Sequence, residues 1–100
     1  HIFIRYGGDE FILLSLHHDL AQMAMFCETL RAAIEARMGG ITMSFGVSTW
    51  HGAGDSMHSL MERADRALYC SKEKGRNSVS TEGEAACCDI CANANAENHR

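Results

Sequence analysis

Apolar and polar residues alternate or recur at fixed steps along most of this chain, and these patterns predict six elements within residues 1–81. Two apolar runs flank a Gly-Gly pair, which is typical of a β-hairpin. Two longer stretches repeat apolar residues every three or four positions and predict amphipathic helices. One alternating stretch and one short final stretch predict two more strands. In order, the predicted elements are strand 2–6, strand 10–16, helix 19–37, strand 41–50, helix 56–73 and strand 76–81.

This ββαβαβ order predicts an α+β fold, in which helices cover one or both faces of a largely antiparallel sheet. The second predicted helix begins after Ser56 or Asp55, either of which can cap it. The first predicted helix ends at Gly39-Gly40 and carries one apolar stripe, which we expect to be buried. This stripe comprises Leu20, Met23, Phe26, Cys27, Leu30, Ala33, Ile34 and Met38.

The composition changes after the last predicted strand, where the chain becomes rich in Ala, Asn and Glu and loses apolar periodicity. We therefore predict a folded domain over 1–81 and a disordered tail over 82–100. The tail contains Cys87, Cys88 and Cys91, but a structural zinc site needs four ligands, and this spacing matches no known finger pattern. Zinc binding is disfavoured, and the role of these cysteines stays open.

The overall composition is that of a globular protein and narrows the choice of partners. Hydrophobic residues make up 46% of the chain and charged residues 22%, which are ordinary values. The formal net charge of −4 gives no general affinity for nucleic acid polymers. No apolar run approaches the roughly 20 residues that a membrane-spanning helix needs. We expect a cytoplasmic domain. This expectation is compatible with a membrane anchor in an upstream segment of the parent protein.

Two adjacent acids at the hairpin tip are the strongest candidates for chemistry. Gly7 and Gly8 precede Asp9 and Glu10, so two carboxylates stand side by side where the backbone is open to close approach. Such an ionised pair is better tolerated beside a hard cation, and Mg2+ takes one or two carboxylates together with phosphate oxygens. The alternative is an ordinary solvated hairpin tip with two acids.

Three stretches of the chain, in the same order, resemble the motifs of one known family. Residues 5–11 read Arg-Tyr-Gly-Gly-Asp-Glu-Phe and resemble the motif that gives GGDEF domains their name. Residues 41–48 read Ile-Thr-Met-Ser-Phe-Gly-Val-Ser and are similar to that family's T-x-S-x-G-V strand. Residues 63–77 are similar to its R-A-D-x-A-L-Y-x-x-K-x-x-G-R-N segment. The resemblance implies a diguanylate cyclase, a nucleotidyltransferase that condenses two GTP into cyclic di-GMP and releases pyrophosphate.

The resemblance also implies roles for individual residues. The metal would be Mg2+, with Mn2+ as the alternative ion, and the nucleotide would be GTP. For Lys72 and Arg76, near the end of the second helix, the alternative role is a favourable interaction with the helix dipole. For Lys74 we prefer that interpretation. The implied roles are catalysis and metal binding for Asp9 and Glu10, and binding of the GTP phosphates for Gly7, Gly8, Lys72 and Arg76.

The match covers only the later part of the family's domain. The chain contains no D-x-D-x-F-K-x-x-N-D run, which in the family carries a metal-binding Asp and the guanine-contacting Asn and Asp. We therefore expect the C-terminal half of a ferredoxin-like, nucleotidyl-cyclase-like GGDEF domain, inactive alone, from a parent protein that is an active cyclase. The alternative is a non-catalytic module that binds a partner or regulates one.

Partners follow from the same resemblance. Catalysis in the family needs a homodimer of GGDEF domains, and the parent protein is expected to carry an upstream sensory or receiver domain. His1 stands where the family's inhibitory product site has an Asp, so product inhibition through that site is not expected.

Overall fold

The computed structural model describes residues 2–5, 7–16 and 19–83, so the predictions for His1 and for the three tail cysteines lie outside the described residues. The element order ββαβαβ agrees with the prediction. Within the described ranges, neither helix has the length and apolar character needed to cross a membrane. The elements are β1 (Ile2–Arg5), β2 (Glu10–Ser15), α1 (Leu20–Arg37), β3 (Ser44–Thr49), α2 (Met57–Glu73) and β4 (Val79–Thr81).

The four strands form one sheet in the order β1-β2-β3-β4, and most of its pairings are parallel. β1 and β2 pair antiparallel as the hairpin, with Arg5 opposite Phe11 next to the turn. β2 pairs with β3 in parallel, and so does β3 with β4. The prediction of a largely antiparallel sheet is therefore wrong. The reason lies in the connections, because each helix carries the chain back along the sheet, and the two strands that it joins then run in the same direction.

The two helices cover opposite faces of the sheet, so the domain has three layers. The side chains of β2 alternate between these faces: Ile12 and Leu14 pack with α2 residues, whereas Leu13 packs on the α1 side. β3 likewise contributes Phe45 and Val47 to the cluster on the α1 side. Because both faces of the sheet are covered here, every residue of β3 is buried.

α2 packs directly against β3 at Gly46. A Cβ at this position would overlap the backbone oxygen of Ala64 and the backbone nitrogen of Leu68, so only glycine permits the approach. A buried hydroxyl adds a second tie, because Ser71 Oγ donates a hydrogen bond to the Phe45 carbonyl (2.7 Å). This close packing determines where the C-terminal end of α2 emerges beside the sheet.

α1 covers its face of the sheet less completely than the sequence predicted. Phe26 and Met38 were expected to be buried and are exposed. Phe26 adjoins the fully buried Cys27 and points about 100° away from it around the helix. Burial raises the pKa of the Cys27 thiol to about 12, as fits a small core residue. The residues of α1 that pack against the sheet are Leu20, Met23, Cys27 and Leu30.

Candidate functional site

The hairpin tip is an exposed turn whose backbone is tied to the sheet. Gly7, Gly8 and Asp9 are exposed, and Gly7 has φ +140°, a conformation that strongly favours glycine. The Asp9 carbonyl accepts a hydrogen bond from the Ser44 N–H (3.0 Å), which fixes the end of the turn against the start of β3. The turn is therefore held in place while its outer side stays open to solvent.

The carboxylate of Glu10 is the centre of a charged cluster beside this turn. Its Oε2 lies 3.1 Å from Lys72 Nζ and 3.5 Å from Arg76 Nη1. Its other oxygen, Oε1, lies over Gly7, where an added Cβ would come within 3.2 Å of it. The Glu10 side chain is 14% exposed, against 21% for Lys72 and 52% for Arg76. One carboxylate therefore balances two cations at the rim of the turn.

The C-terminal end of α2 brings both cations to the hairpin. The helix ends in a hydrogen-bonded reversal, in which the Gly75 N–H donates to the Lys72 carbonyl (3.2 Å) and the Arg76 N–H donates to the Ser71 carbonyl (3.0 Å). Ser71 also anchors this end of the helix to β3 through its hydroxyl. Lys72 lies on the last turn of α2 and Arg76 lies beyond the reversal, yet both reach Glu10.

The cluster has the chemistry to bind an anion and a cation at neighbouring points. Lys72 offers a compact positive charge, and Arg76 offers a planar fork that suits phosphate. Asp9 and Glu10 supply two carboxylates from consecutive positions. Among the described residues, no group of three or more His, Cys, Asp or Glu side chains is placed to hold a metal ion. The two carboxylates therefore fit Mg2+ only together with oxygens from a ligand or from water, which is how Mg2+ commonly binds at phosphate sites.

The structure brings together most of the residues that the sequence predicted for the site. Glu10, Lys72 and Arg76 form one charged cluster, and the Glu10 carboxylate also lies over Gly7. Gly8 and Asp9 are exposed on the same turn. Their binding of metal and of phosphate stays a prediction.

Sequence reasoning missed a group of residues that support the end of α2. Asn77 Oδ1 accepts a hydrogen bond from Arg31 Nη1 (2.8 Å), and Asn77 Nδ2 donates one to Glu35 Oε2 (2.9 Å). Arg31 also pairs with Glu28 (2.6 Å) and with Glu35 (3.0 Å), and these bonds, chiefly the one to Glu28, raise the pKa of Arg31 above its usual value. The sequence did carry one signal, because Glu28, Arg31 and Glu35 are spaced to share one face of a helix. Their partner Asn77 is 42 residues beyond Glu35 and could not be inferred from that spacing.

A second charged cluster ties the loop before α2 to the end of β4. Arg63 donates hydrogen bonds to Asp55 (2.6 and 3.1 Å), to Glu82 (3.1 Å) and to the Thr49 carbonyl (3.0 Å), and His51 contacts Glu82 as well. The Arg63 guanidinium, followed by the His51 N–H, holds the pKa of the Asp55 carboxyl well below its usual range. Arg63 is therefore a salt-bridging residue that joins the loop before α2 to Glu82. Glu82, which the sequence assigned to the tail, is bonded to the folded part of the chain.

Comparison with known proteins finds similar sequences in several organisms. A family model described as "Diguanylate cyclase, GGDEF domain" matches residues 1–78. Diguanylate cyclase VdcA of Vibrio cholerae is 42% identical over 85 residues, which cover 75% of this chain and 25% of that protein. Diguanylate cyclase A of Treponema denticola is 40% identical over 84 residues, which cover 76% of this chain and 22% of that protein.

A third relative is named as a response regulator. Response regulator PleD of Caulobacter vibrioides is 34% identical over 84 residues, which cover 75% of this chain and 18% of that protein. The chain therefore spans a quarter or less of the length of these curated relatives. No solved structure matches the chain.

Proposed function

The chain belongs to the GGDEF family of diguanylate cyclase domains, and on that basis we propose that its parent protein condenses two GTP into cyclic di-GMP and releases two pyrophosphates. In this proposal the chain supplies the part of the active site that faces the phosphates and the metal ion. The remaining part, which recognises guanine, comes from residues that this chain does not contain.

The convergence of Glu10, Lys72 and Arg76 is the observation that carries the proposal. The acid belongs to the motif at 5–11 and the cations to the motif at 63–77, and their charged atoms meet at 3.1 and 3.5 Å. A role with the helix dipole would not require both cations to meet at one point on another element. Two cations that converge at one point suit a multiply charged phosphate chain, and an open turn alongside gives it room.

Each residue of the proposed site acts on a different part of GTP. Lys72 and Arg76 bind the terminal phosphates through charge-assisted hydrogen bonds. Gly8 leaves room for the triphosphate, because no atom lies within 4 Å of the point where its Cβ would be. Asp9 is the candidate to accept the proton of the attacking 3′-hydroxyl, because it is exposed on the same turn.

Asp9 and Glu10 are the residues that would hold Mg2+ or Mn2+. A bound ion would supply positive charge that offsets the negative charge developing on the leaving pyrophosphate. If the ion takes Glu10 Oε2, it competes with Lys72 and Arg76 for that oxygen, and the two cations are then available to phosphate.

The reaction joins two nucleotides, whereas the described part of each chain contains one such cluster. We therefore propose that two copies of the domain face each other, with one GTP bound to each. The relative PleD is named a response regulator, which supports an upstream receiver or sensory domain in the parent protein. The use of GTP is consistent with a cytoplasmic site, wherever upstream segments place the rest of the parent protein.

The test is a chimera in which the N-terminal half of the GGDEF domain of VdcA precedes this chain. Incubated with GTP and Mg2+, the chimera should form cyclic di-GMP, detected by chromatography, whereas the 100-residue chain alone should form none. Asp9→Ala should lower the rate by about a hundredfold or more, the usual scale for a lost acid-base group. Asp19→Ala is the matched control, because Asp19 precedes α1 and its side chain makes no capping hydrogen bond.

Two outcomes would contradict the proposal. Full activity of the Asp9→Ala chimera would remove Asp9 from the site. A folded chimera that is inactive, alongside an active VdcA domain, would favour the alternative of a non-catalytic module.

A further inference from the structure

Three consecutive residues at the end of α2 adopt left-handed backbone conformations. Gly75 has φ +107°, Arg76 has φ +65° and Asn77 has φ +48°. Two of the three carry side chains, for which this region is strained, so the surrounding structure has to hold them there. Such strain often lies at sites where a side chain must be aimed, and Arg76 is the residue that reaches the hairpin.

Asn77 is the residue through which the surroundings hold this turn. Its side chain bridges to α1, accepting from Arg31 (2.8 Å) and donating to Glu35 (2.9 Å). Its backbone N–H donates to Ser44 Oγ (3.1 Å), at the start of β3. Asn77 is therefore fixed to both neighbouring elements, one residue after Arg76.

We infer that Asn77, held by Arg31 and Glu35, is a positioning residue that keeps the Arg76 guanidinium directed at the hairpin tip. Through these hydrogen bonds, α1 supports the phosphate site by way of Asn77. The inference rests on the proposed phosphate role of Arg76. A purely structural role for Asn77, as a tie between α1 and the segment before β4, is the competing explanation.

The two explanations differ in whether the effect of Asn77 passes through Arg76. Asn77→Gly removes the side-chain hydrogen bonds but leaves a backbone that adopts positive φ readily. The affinity of the 100-residue chain for inorganic pyrophosphate is measured by NMR titration, for this variant and in the background of Arg76→Ala. Because coupled residues deviate from additivity, we expect Asn77→Gly to lower the affinity about three- to tenfold when Arg76 is present and to change it less than about twofold when Arg76 is absent.

A second pair of variants approaches the same hydrogen bonds from α1. Glu35→Ala removes the acceptor of the Asn77 amide, whereas Glu35→Gln keeps an oxygen there. Glu35→Ala should therefore weaken pyrophosphate binding more than Glu35→Gln does, and this difference should vanish in the Arg76→Ala background. Melting temperatures of all the variants show whether each one still folds.

The outcomes separate this inference from the function on which it rests. Unchanged affinity for Asn77→Gly, or an equal loss with and without Arg76, overturns the positioning role alone. If the unaltered chain binds no pyrophosphate in the titration, the phosphate role of Arg76 falls, and the inference falls with it.

Discussion

Glu10 Oε2 and Lys72 Nζ lie 3.1 Å apart, so the acid assigned to the metal is paired with a cation assigned to phosphate. In the proposed site, a metal ion at Glu10 Oε2 and a phosphate at Lys72 would each compete with the existing ion pair. A phosphate that arrives alone competes with Glu10 for Lys72, and a metal ion that arrives alone competes with Lys72 for Glu10. When both bind together, Glu10 exchanges Lys72 for the metal ion and Lys72 exchanges Glu10 for the phosphate. If the proposed roles of Glu10 and Lys72 are right, the metal and the phosphate should therefore bind better together than separately.

This exchange predicts an unusual effect of neutralising the acid. Glu10→Gln should raise the affinity of the chain for pyrophosphate in the absence of metal by about two- to fivefold, because partly exposed ion pairs are worth about 0.2–1 kcal/mol. With Mg2+ present, the unaltered chain should bind pyrophosphate more tightly than Glu10→Gln does. Calorimetric titrations with Mg2+ and with a chelator provide both comparisons.

A Glu10→Gln chain that binds metal-free pyrophosphate more weakly than the unaltered chain would contradict the exchange. Glu62→Gln is the control for a general change in charge, because Glu62 lies in α2 outside the cluster.

The two glycines of the turn should respond differently to alanine. Gly7→Ala forces a side chain into φ +140° and brings its Cβ within 3.2 Å of the Glu10 carboxylate, so it should lower the free energy of unfolding by about 1–3 kcal/mol. Gly8→Ala meets no atom within 4 Å and should change stability by less than about 0.5 kcal/mol. If phosphate lies against this turn, Gly8→Ala should nevertheless weaken pyrophosphate binding. Urea unfolding and NMR titration measure the two effects, and unchanged binding by Gly8→Ala would remove Gly8 from the phosphate site.

The elements of this domain could be predicted from the sequence because each one carries its own local pattern. The alternation of Phe45 and Val47 with small residues, the cap at Ser56 and the glycines of the turn all act over a few positions. The direct contact of Glu10 with Arg76 joins residues 66 positions apart, and only the family resemblance placed both in one site. That Asn77 reaches α1 depends on the packing of α1 against the sheet, which no local pattern contains.

The direction of the strand pairings was mispredicted for a different reason. The largely antiparallel sheet was inferred from the ββαβαβ element order, which does not by itself specify which strands are neighbours. In this chain, β2 pairs directly with β3, from Glu10 opposite Ser44 to Ser15 opposite Thr49. α1 and α2 are crossovers that make two of the three pairings between the described strands parallel, and only the β1–β2 hairpin is antiparallel.

The boundary of the folded domain should lie after Glu82. Removal of residues 84–100 should leave the melting temperature unchanged, in line with the proposed tail. Removal of residues 82–100 should destabilise the domain by about 1–3 kcal/mol, because Glu82 accepts charge-assisted hydrogen bonds from Arg63 and its side chain is only 13% exposed. Glu82→Ala in the full chain should reproduce this loss. Thermal melts of the three proteins decide the point, and a large loss on removing residues 84–100 would show that the proposed tail belongs to the folded domain.

Acid should weaken the domain partly through Asp55. The pKa of this carboxyl is lowered in the folded state, so the unfolded state binds the proton more readily. The stabilisation is therefore complete above the unfolded pKa of about 4 and is lost as the pH falls from there towards the folded pKa. Asp55→Asn should be less stable than the unaltered chain at neutral pH, and its stability should fall less steeply below about pH 5.

Glu28→Gln is the control for this pH dependence. Arg31 lowers the pKa of Glu28 as well, but the Glu28 side chain is 54% exposed, so its contribution should be small. Urea midpoints measured between neutral and acid pH give the slopes, and equal slopes for Asp55→Asn and the unaltered chain would exclude Asp55 as a source of acid sensitivity.

The three cations near the end of α2 should contribute unequally to nucleotide binding. Lys72 and Arg76 contact Glu10 beside the turn, whereas Lys74 is exposed and lies two residues from Lys72, so it points to the opposite side of the helix at about 100° per residue. In the VdcA chimera, Lys72→Ala and Arg76→Ala should each weaken binding of a non-hydrolysable GTP analogue by about 1.5–3 kcal/mol, or about ten- to a hundredfold, as expected for a lost charge-assisted contact. Lys74→Ala should cost well under about 1 kcal/mol, because a surface charge that is directed elsewhere acts only through the screened long-range field.

Calorimetric titration of the three variants at one salt concentration separates these cases. Equal losses in all three would mean that only the general positive field attracts the nucleotide, and Lys72 and Arg76 would then have no specific part in the site.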